Sequence, residues 1–310
     1  MTNNYSPPYN DLGFQINLSK ACPPTQNLVF LGTEICTSTR TLSLPPKKLA
    51  EVKLLVDQWC CKKRVKKVDL QSFIGKLNWC ARVVRGGRSF LRRLIDLTKS
   101  VDHPKWHIKL TPESKADINW WKIGLSMFHG STCFPIDIPL PSYSYSTDAC
   151  AVGGGAGHFG TKWFYVNWEV DYPEYKVKHI TFLELLSIVI SIKRWGHLWR
   201  GLHIKVRTDN IAAMSAINKA TSKSPEMMIL VREIFWMCVK YECRVTASYI
   251  KGVENVMSDR LSRLNEPLAA LEAWDLLYLC DPNCVFASSH MSYDTFLTLQ
   301  STWQRSSMSC

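Results

Sequence analysis

Four acidic residues stand where a carboxylate is costly to keep. Asp148 closes an alternating run (Tyr143, Tyr145, Thr147) that reads as a half-buried strand. Glu184 lies on an apolar helical stretch, Phe182-Leu183-Glu184-Leu185-Leu186, and Asp209 ends a second strand, Lys205-Val206-Arg207-Thr208-Asp209. Asp259 falls within Gly252-Val253-Glu254-Asn255-Val256-Met257-Ser258-Asp259-Arg260-Leu261-Ser262-Arg263. The four are separated by 36, 25 and 50 residues. A desolvated charge without a partner is strongly unfavourable, so carboxylates in such places point to a shared cation. Hard Mg²⁺ prefers carboxylate oxygens and retained waters over His or Cys ligands. Two such ions, about 3.5–4 Å apart, activate water and neutralise the leaving oxygen in phosphodiester hydrolysis. The residue types therefore predict a two-ion site (Mg²⁺, with Mn²⁺ as a substitute) built from Asp148, Glu184, Asp209 and Asp259. Each acid also has a plain reading as a cap or surface residue. Asp259 is the most open to it, because Ser258-Asp259-Arg260 reads equally as a solvated turn of helix.

The elements that must carry these acids follow from periodicity and punctuation. Gly153-Gly154-Gly155-Ala156-Gly157 is expected to turn the Asp148 strand tightly into the next. Lys162 to Trp168 reads as a third strand, Ile180 to Trp199 as an apolar helix with Glu184 near its start, and His203 to Thr208 as a fourth strand. Asn210 to Lys219 and Pro225 to Tyr241 read as helices, Arg244 to Ile250 as a fifth strand, and Asn255 to Leu264 as a closing helix. The expected fold class is α/β, a mixed five-stranded sheet with flanking helices in the order β-β-β-α-β-α-α-β-α.

That order, with the Asp148 strand, the Glu184 helix, Thr208-Asp209-Asn210 and the terminal G-x-x-N-x-x-x-D-x-L-S-R helix, resembles the ribonuclease H fold. It is most similar to the RNase H domain of retroelement reverse transcriptases. The resemblance implies endonucleolytic hydrolysis of the RNA strand of an RNA/DNA hybrid, leaving 3′-hydroxyl and 5′-phosphate ends. It also implies roles: Asp148 bridging both ions, Asp209 and Glu184 holding one, and Asp259 the other. RNA is told from DNA by its 2′-hydroxyls across a wide minor groove. Asn210 is the first candidate for that contact, then Thr208 or Ser187, although Asn210 reads equally as the cap of the helix that follows. The chain departs from the family at two points: no His lies between Ser248 and Ser258, where Tyr249 stands in place of the His-x-x-Gly of many retroelement copies, and no basic helical handle lies between the second and third helices, which offer only Lys219 and Lys223. His158, His179, His197 and His203 read as packing or surface histidines.

Charge divides the chain unevenly. The formal net charge is +12 over 310 residues, and the stretch from Pro45 to Leu110 holds 17 Lys and Arg against 5 Asp and Glu. A field concentrated on one third of a protein fits a polyanion, most often nucleic acid. Trp59, Phe73, Trp79, Phe90 and Trp106 are interleaved with the cations, which marks a folded segment rather than a tail. The expected nucleic-acid contacts are Lys62, Lys63, Arg64, Lys66, Lys67, Arg88, Arg92 and Arg93. Leu28 to Ile35 and Thr39 to Leu44 read as the two strands of a hairpin. Pro45-Pro46 opens a helix that the Lys62–Lys67 cluster ends, and Asp69 is the expected N-cap of the next. A third helix from Phe90 follows Gly86-Gly87, and Thr111-Pro112-Glu113 starts a fourth.

This segment also resembles a known piece. Gly13-Phe14-Gln15-Ile16-Asn17, Pro24-Thr25-Gln26 and Phe30-Leu31-Gly32-Thr33-Glu34-Ile35 are similar to the end of a reverse transcriptase palm with its primer-grip hairpin. Leu42-Ser43-Leu44-Pro45, Gly75-Lys76-Leu77-Asn78 and Gly87-Arg88-Ser89-Phe90-Leu91-Arg92-Arg93-Leu94 are similar to a thumb and connection, in the form of DIRS-type retrotransposons, with LTR-type elements as the runner-up. The implied organisation is 1–44 palm end and primer grip, 45–135 basic helical thumb and connection, 140–265 RNase H domain, and 266–310 a partly disordered tail with one helix over Leu268 to Leu279. The chain contains no Asp-Asp pair of the kind polymerisation uses. The expectation is thus a truncated polyprotein fragment with nuclease but not polymerase activity, intracellular (cytoplasmic or nuclear) and without a membrane segment. A non-catalytic nucleic-acid-binding remnant is the competing reading, and an integrase or transposase the third. The twelve cysteines are scattered through apolar positions, and Cys60-Cys61 and Cys280-x-x-x-Cys284 lack the second half of a zinc site.

Overall fold

The computed structural model describes residues 22–127, 131–133, 143–160 and 162–266, together with 269, 272 and 273. The expectations placed on Gly13–Asn17, on the helix over Leu268 to Leu279 apart from residues 269, 272 and 273, on Cys280 and Cys284, and on the tail beyond lie outside the described residues.

The first strands are short because the chain reverses early. β1 (Asn27–Phe30) pairs antiparallel with β2 (Thr33–Cys36), and the turn between them is Leu31-Gly32, with φ of 49° and 79°. Two successive left-handed residues give the hairpin turn whose twist matches its strands. The Leu28–Ile35 stretch is therefore two strands rather than one, and β3 (Thr41–Ser43) adds a third. Trp79 fixes the turn from the side, its indole N–H donating to Leu31 O at 3.2 Å. α1 (Pro46–Cys60) starts at Pro46 as expected and buries Val52, Val56 and Trp59. β4 (Arg64–Lys66) follows and runs directly into α2 (Lys67–Cys80), so the helix begins two residues before Asp69 and has no side-chain cap. Pairing of β4 with β5 (His107–Lys109) holds the entry instead, with Lys67 N donating to Trp106 O at 3.0 Å. After Gly86 the chain makes a 3₁₀ turn, Gly87–Phe90, and only then α3 (Arg92–Leu97). A continuous helix from Phe90 is prevented because Trp121 takes the Phe90 carbonyl, at 3.2 Å. α4 (Pro112–Met127) closes this half, and β6 (Ser131–Cys133) pairs with β3. The core here includes Val56, Leu70, Phe73, Leu77, Leu94, Ile118 and Trp121, with Trp59 stacked on Phe73 at 4.0 Å.

The second half is the expected α/β unit. β7 (Tyr143–Ala149), β8 (Gly154–Phe159), β9 (Lys162–Asn167), β10 (His203–Thr208) and β11 (Arg244–Tyr249) form one sheet in the order β11-β10-β7-β8-β9. β7, β10 and β11 run parallel, while β8 and β9 are antiparallel to their neighbours. α5 (Ile180–Trp195), α6 (Ile211–Lys219), α7 (Pro225–Lys240) and α8 (Val256–Ser262) complete it. The Glu184 helix ends at Trp195 and continues as a short 3₁₀ turn, so Trp199 lies outside it. α5 is buried from Phe182 to Ile192, which is why its sequence is apolar on all sides.

The glycines after Asp148 serve a different purpose from the one expected. The reversal occupies Cys150–Gly153, with Cys150 N donating to Gly154 O at 2.8 Å, and Gly154, Gly155 and Gly157 lie inside β8. A Cβ on Gly155 would collide with Ser187 Oγ and the Trp168 ring, and one on Gly157 with Phe164. Glycine here brings α5 down onto the strand beside Asp148. Gly155→Ala is expected to destabilise the protein by about 1–3 kcal/mol, the usual range for overpacking, measured by denaturant unfolding.

The two halves meet along α7. Phe235 sits against Gly86, whose φ is 77°, and packs edge-on to Phe90 and Trp120. Arg232 reaches across, its Nη2 2.8 Å from Asp117 Oδ2 and its Nε donating to Ser89 O at 3.1 Å, while Arg93 holds the other Asp117 oxygen at 3.1 Å. Ser89 Oγ donates to Ala220 O at 2.9 Å. Asp117 is thus a buried carboxylate between two guanidiniums, one from each half.

Candidate functional site

Three of the four acids converge. Asp148 is the penultimate residue of β7, opposite Ala156 of β8. Glu184 is in the second turn of α5, whose start is capped by His179 Nδ1 accepting from Thr181 N at 3.2 Å. Asp209 directly follows β10, and Asn210 then caps α6, its Oδ1 accepting from Ala212 N at 3.1 Å and Ala213 N at 3.0 Å. One carboxylate oxygen from each of Asp148, Glu184 and Asp209 lies within 4.8 Å of the others. Parallel pairing of β7 with β10 brings the two aspartates to one end of the sheet, and close packing of α5 on β8 lays Glu184 over them.

Burial and neighbouring charge raise the proton affinity of all three carboxylates. Burial pushes Asp148 up to about 6, opposed by a hydrogen bond from Ser262 and reinforced by the charges of Asp209 and Asp259. Glu184 is raised well above the usual carboxylate range, by burial first and then by Asp148 and Asp209. Burial raises Asp209 too, with Asp259 adding to it. Asp148 and Glu184 are 5% and 4% exposed, and Glu184 Oε2 is buried without a hydrogen-bond partner. Buried oxygens of this kind are normally satisfied. A divalent cation fits the donor set: hard oxygen ligands from three carboxylates, one of them with a buried unsatisfied oxygen. The trio could hold such a metal ion.

Asp259 is placed differently. It lies in the first turn of α8, and its carboxylate is engaged by Arg263 Nε at 3.0 Å and Arg260 Nη1 at 3.5 Å. What α8 extends to the trio is the hydroxyl of Ser262, which donates to Asp148 Oδ2 at 2.6 Å. Ser258 Oγ meets Ser146 Oγ at 2.7 Å, and Asn255 Nδ2 donates to Thr147 O at 3.0 Å. These three α8 contacts were not anticipated from sequence. Their signal was there, since polar residues at 255, 258 and 262 recur at the spacing of a helix's inner face. The loop before α8, where a His was missing, comes close to the trio: a Cβ on Gly252 would stand 3.3 Å from Asp209 Oδ2.

The other candidates separate by how their side chains are committed. Asn210 acts as a cap, with Nδ2 3.5 Å from Thr181 Oγ1. Thr208 and Ser187 are fully buried, with Thr208 Oγ1 accepting from Asn210 N at 3.1 Å and Ser187 Oγ donating to Leu183 O at 3.0 Å. Lys62, Lys63, Arg64, Lys66 and Arg88 are exposed. The β4–β5 ribbon aligns Arg64 with Lys109 and Lys66 with His107 while Val65 and Ile108 point inward, which adds two basic residues the sequence reading had not singled out. Lys62 Nζ lies 4.5 Å from the centre of the Trp59 ring. Lys67 is turned inward to the carbonyls of Val101 and Asp102, at 2.6 and 3.1 Å. Arg92 is paired with Asp96, Nε to Oδ2 at 2.9 Å, and Arg93 with Asp117. Among the described residues no helix is long and apolar enough to cross a membrane.

No protein-family model matches the chain. Among solved structures it is similar to a foamy viral protease-reverse transcriptase in complex with dsDNA, at TM-score 0.33 and 16% identity, over 76% of this chain and 47% of that one. A foamy viral protease-reverse transcriptase dRH in complex with ds DNA matches at TM-score 0.30 and 14% identity, over 73% and 38%. The chain therefore spans less than half the length of either structure it matches.

Proposed function

We propose that this chain is an RNase H-type endonuclease that hydrolyses the RNA strand of RNA/DNA hybrids. In this reading residues 140–265 are the nuclease, residues 45–135 a thumb and connection that hold the duplex, and the whole a segment of a retrotransposon reverse transcriptase. The observation that carries it is the convergence of Asp148, Glu184 and Asp209, each offering an oxygen within 4.8 Å of the others, with Glu184 Oε2 buried and without a hydrogen-bond partner. These three would hold Mg²⁺, or Mn²⁺ in its place, with Asp259 joining once released from Arg263. A bound divalent ion supplies an activated water and charge neutralisation at the phosphate. The chain's own part is to fix the carboxylates on rigid elements, keep bulk water from Glu184, and present Lys62, Lys63, Arg64, Lys66 and Arg88 to the nucleic-acid backbone.

A nucleic-acid-binding remnant without catalysis is the second reading, and the pairing of Asp259 with two arginines favours it. Cleavage of a labelled RNA/DNA hybrid by residues 1–310 in Mg²⁺ and Mn²⁺ separates the two. Cutting of the RNA strand that Asp209→Asn removes supports the nuclease. Hybrid binding that falls with salt, with no cutting in either metal, supports the remnant.

A further inference from the structure

We infer that Ser262 is a positioning residue for the acid trio: its hydroxyl holds one oxygen of Asp148 and leaves the other, Oδ1, as the one presented to a cation. This rests on the metal-binding reading above and adds a residue to it.

The argument begins with α8. It spans only seven residues and has no side-chain cap, so its placement is set by what it touches. Beside Leu261, which packs on Ala156 and Trp163, the helix and its N-cap bury three polar side chains: Asn255, Ser258 and Ser262 are 2%, 0% and 0% exposed. Each contacts a successive residue of β7, namely Thr147 O, Ser146 Oγ and Asp148 Oδ2. Burying three polar side chains for three hydrogen bonds gains little stability over an apolar face, so direction rather than strength is what the arrangement supplies.

Of the three contacts, only that of Ser262 reaches a carboxylate of the trio. Its single O–H has two acceptors in reach, Asp148 Oδ2 at 2.6 Å and the Asp259 carbonyl one turn back at 2.9 Å, and the carboxylate oxygen is the nearer. A carboxylate that can rotate presents two equivalent oxygens, whereas one pinned through Oδ2 presents a defined one. Partners of this kind typically change metal affinity when removed. Ser262 lies one turn on from Asp259 in the same helix, so one element sets both the orientation of Asp148 and the distance of the fourth acid.

The experiment is titration of Mg²⁺ and Mn²⁺ into the full chain by calorimetry without nucleic acid, on the wild type and on Ser262→Ala, Ser262→Thr and Ser258→Ala. Ser262→Ala is expected to weaken ion binding by about 10- to 100-fold, the range for loss of a ligand-orienting partner, with Ser262→Thr and Ser258→Ala within about twofold of wild type. Ser258→Ala loosens the same helix without touching a carboxylate, so equal weakening there would reduce Ser262 to a structural latch and overturn the inference. Unchanged affinity in Ser262→Ala would overturn it as well. If Ser262→Ala does not fold, the near-isosteric Ser262→Cys, a much weaker donor, is read in its place by the same criterion. A wild-type chain that binds neither ion fails at an earlier step, and sinks the metal reading together with this one.

Discussion

On the proposed nuclease reading, Asp148→Asn is expected to remove hybrid cleavage and, in the same molecule, to stabilise the metal-free protein at neutral pH. The first effect follows, on that reading, from taking a charged ligand out of a site whose bound ion would supply several kcal/mol of transition-state stabilisation, about 10³-fold or more in rate. The second follows from burial. Asp148 has its proton affinity raised from 3.8 to about 6, by desolvation before any other cause. The folded state therefore holds that proton more tightly than the unfolded chain does. The stability this contributes is complete below 3.8 and is lost as pH rises through about 6. At pH 8 the ionised group costs about 2–3 kcal/mol, which a neutral amide avoids while still accepting from Ser262. Calorimetric melts in EDTA should show the variant roughly 5 °C above wild type at pH 8, and little different near pH 4. A variant that melts below wild type at pH 8 would mean that the trio is not electrostatically strained. The opposite signs in activity and stability are what a site assembled for a cation should give.

The joint between the halves is where the largest loss of stability is expected. Arg232→Ala removes a guanidinium that pairs with Asp117 at 2.8 Å, donates to Ser89 O at 3.1 Å and lies 5.4 Å from the Phe90 ring centre. Asp117 then stays buried with Arg93 alone. Breaking a buried pair from one side usually costs about 3–5 kcal/mol, even where forming it gained little. Burial already lifts Asp117 to about 6 against the pull of both arginines, and loss of one arginine moves it in the same direction. Protonation relieves the stranded carboxylate, so the penalty should be largest at pH 8 and shrink as pH falls through that value and below. Denaturant titrations of both proteins at pH 8 and pH 5 measure this. An equal penalty at the two pH values would show that lost packing on Phe90, rather than the stranded charge, is responsible.

Much of the second half could be read in advance because each element declared its own period. Alternation at Tyr143, Tyr145 and Thr147 gave β7, and Pro225 and Pro46 marked the starts of α7 and α1. Asp148, Glu184 and Asp209 were legible because each is an acid set at the end of such an element or inside its apolar face. The errors share a cause, which is tertiary partners at long range. Phe90 leaves the helical pattern because Trp121, 31 residues away, takes its carbonyl. The arginines at 92 and 93 look alike in sequence and free for phosphate, yet each faces a carboxylate. The glycines at 155 and 157 looked like a turn because nothing local reveals a helix pressing on the strand. Ser262 was passed over because a serine on a short helix is ordinarily solvated, and only the fold turns that face inward.

Those glycines bear on the order in which the molecule forms. A strand built from Gly154, Gly155 and Gly157 has weak intrinsic preference for its conformation and few side chains to hold it before α5 arrives. Its pairing with β7 is therefore expected to form on the native side of the folding barrier, after α5 has met the sheet. In Gly155→Ala the loss should accordingly appear as faster unfolding with refolding little changed. Asp148 pairs into that late strand, opposite Ala156. The three carboxylates are consequently forced together only when the rest of the framework is in place to hold them.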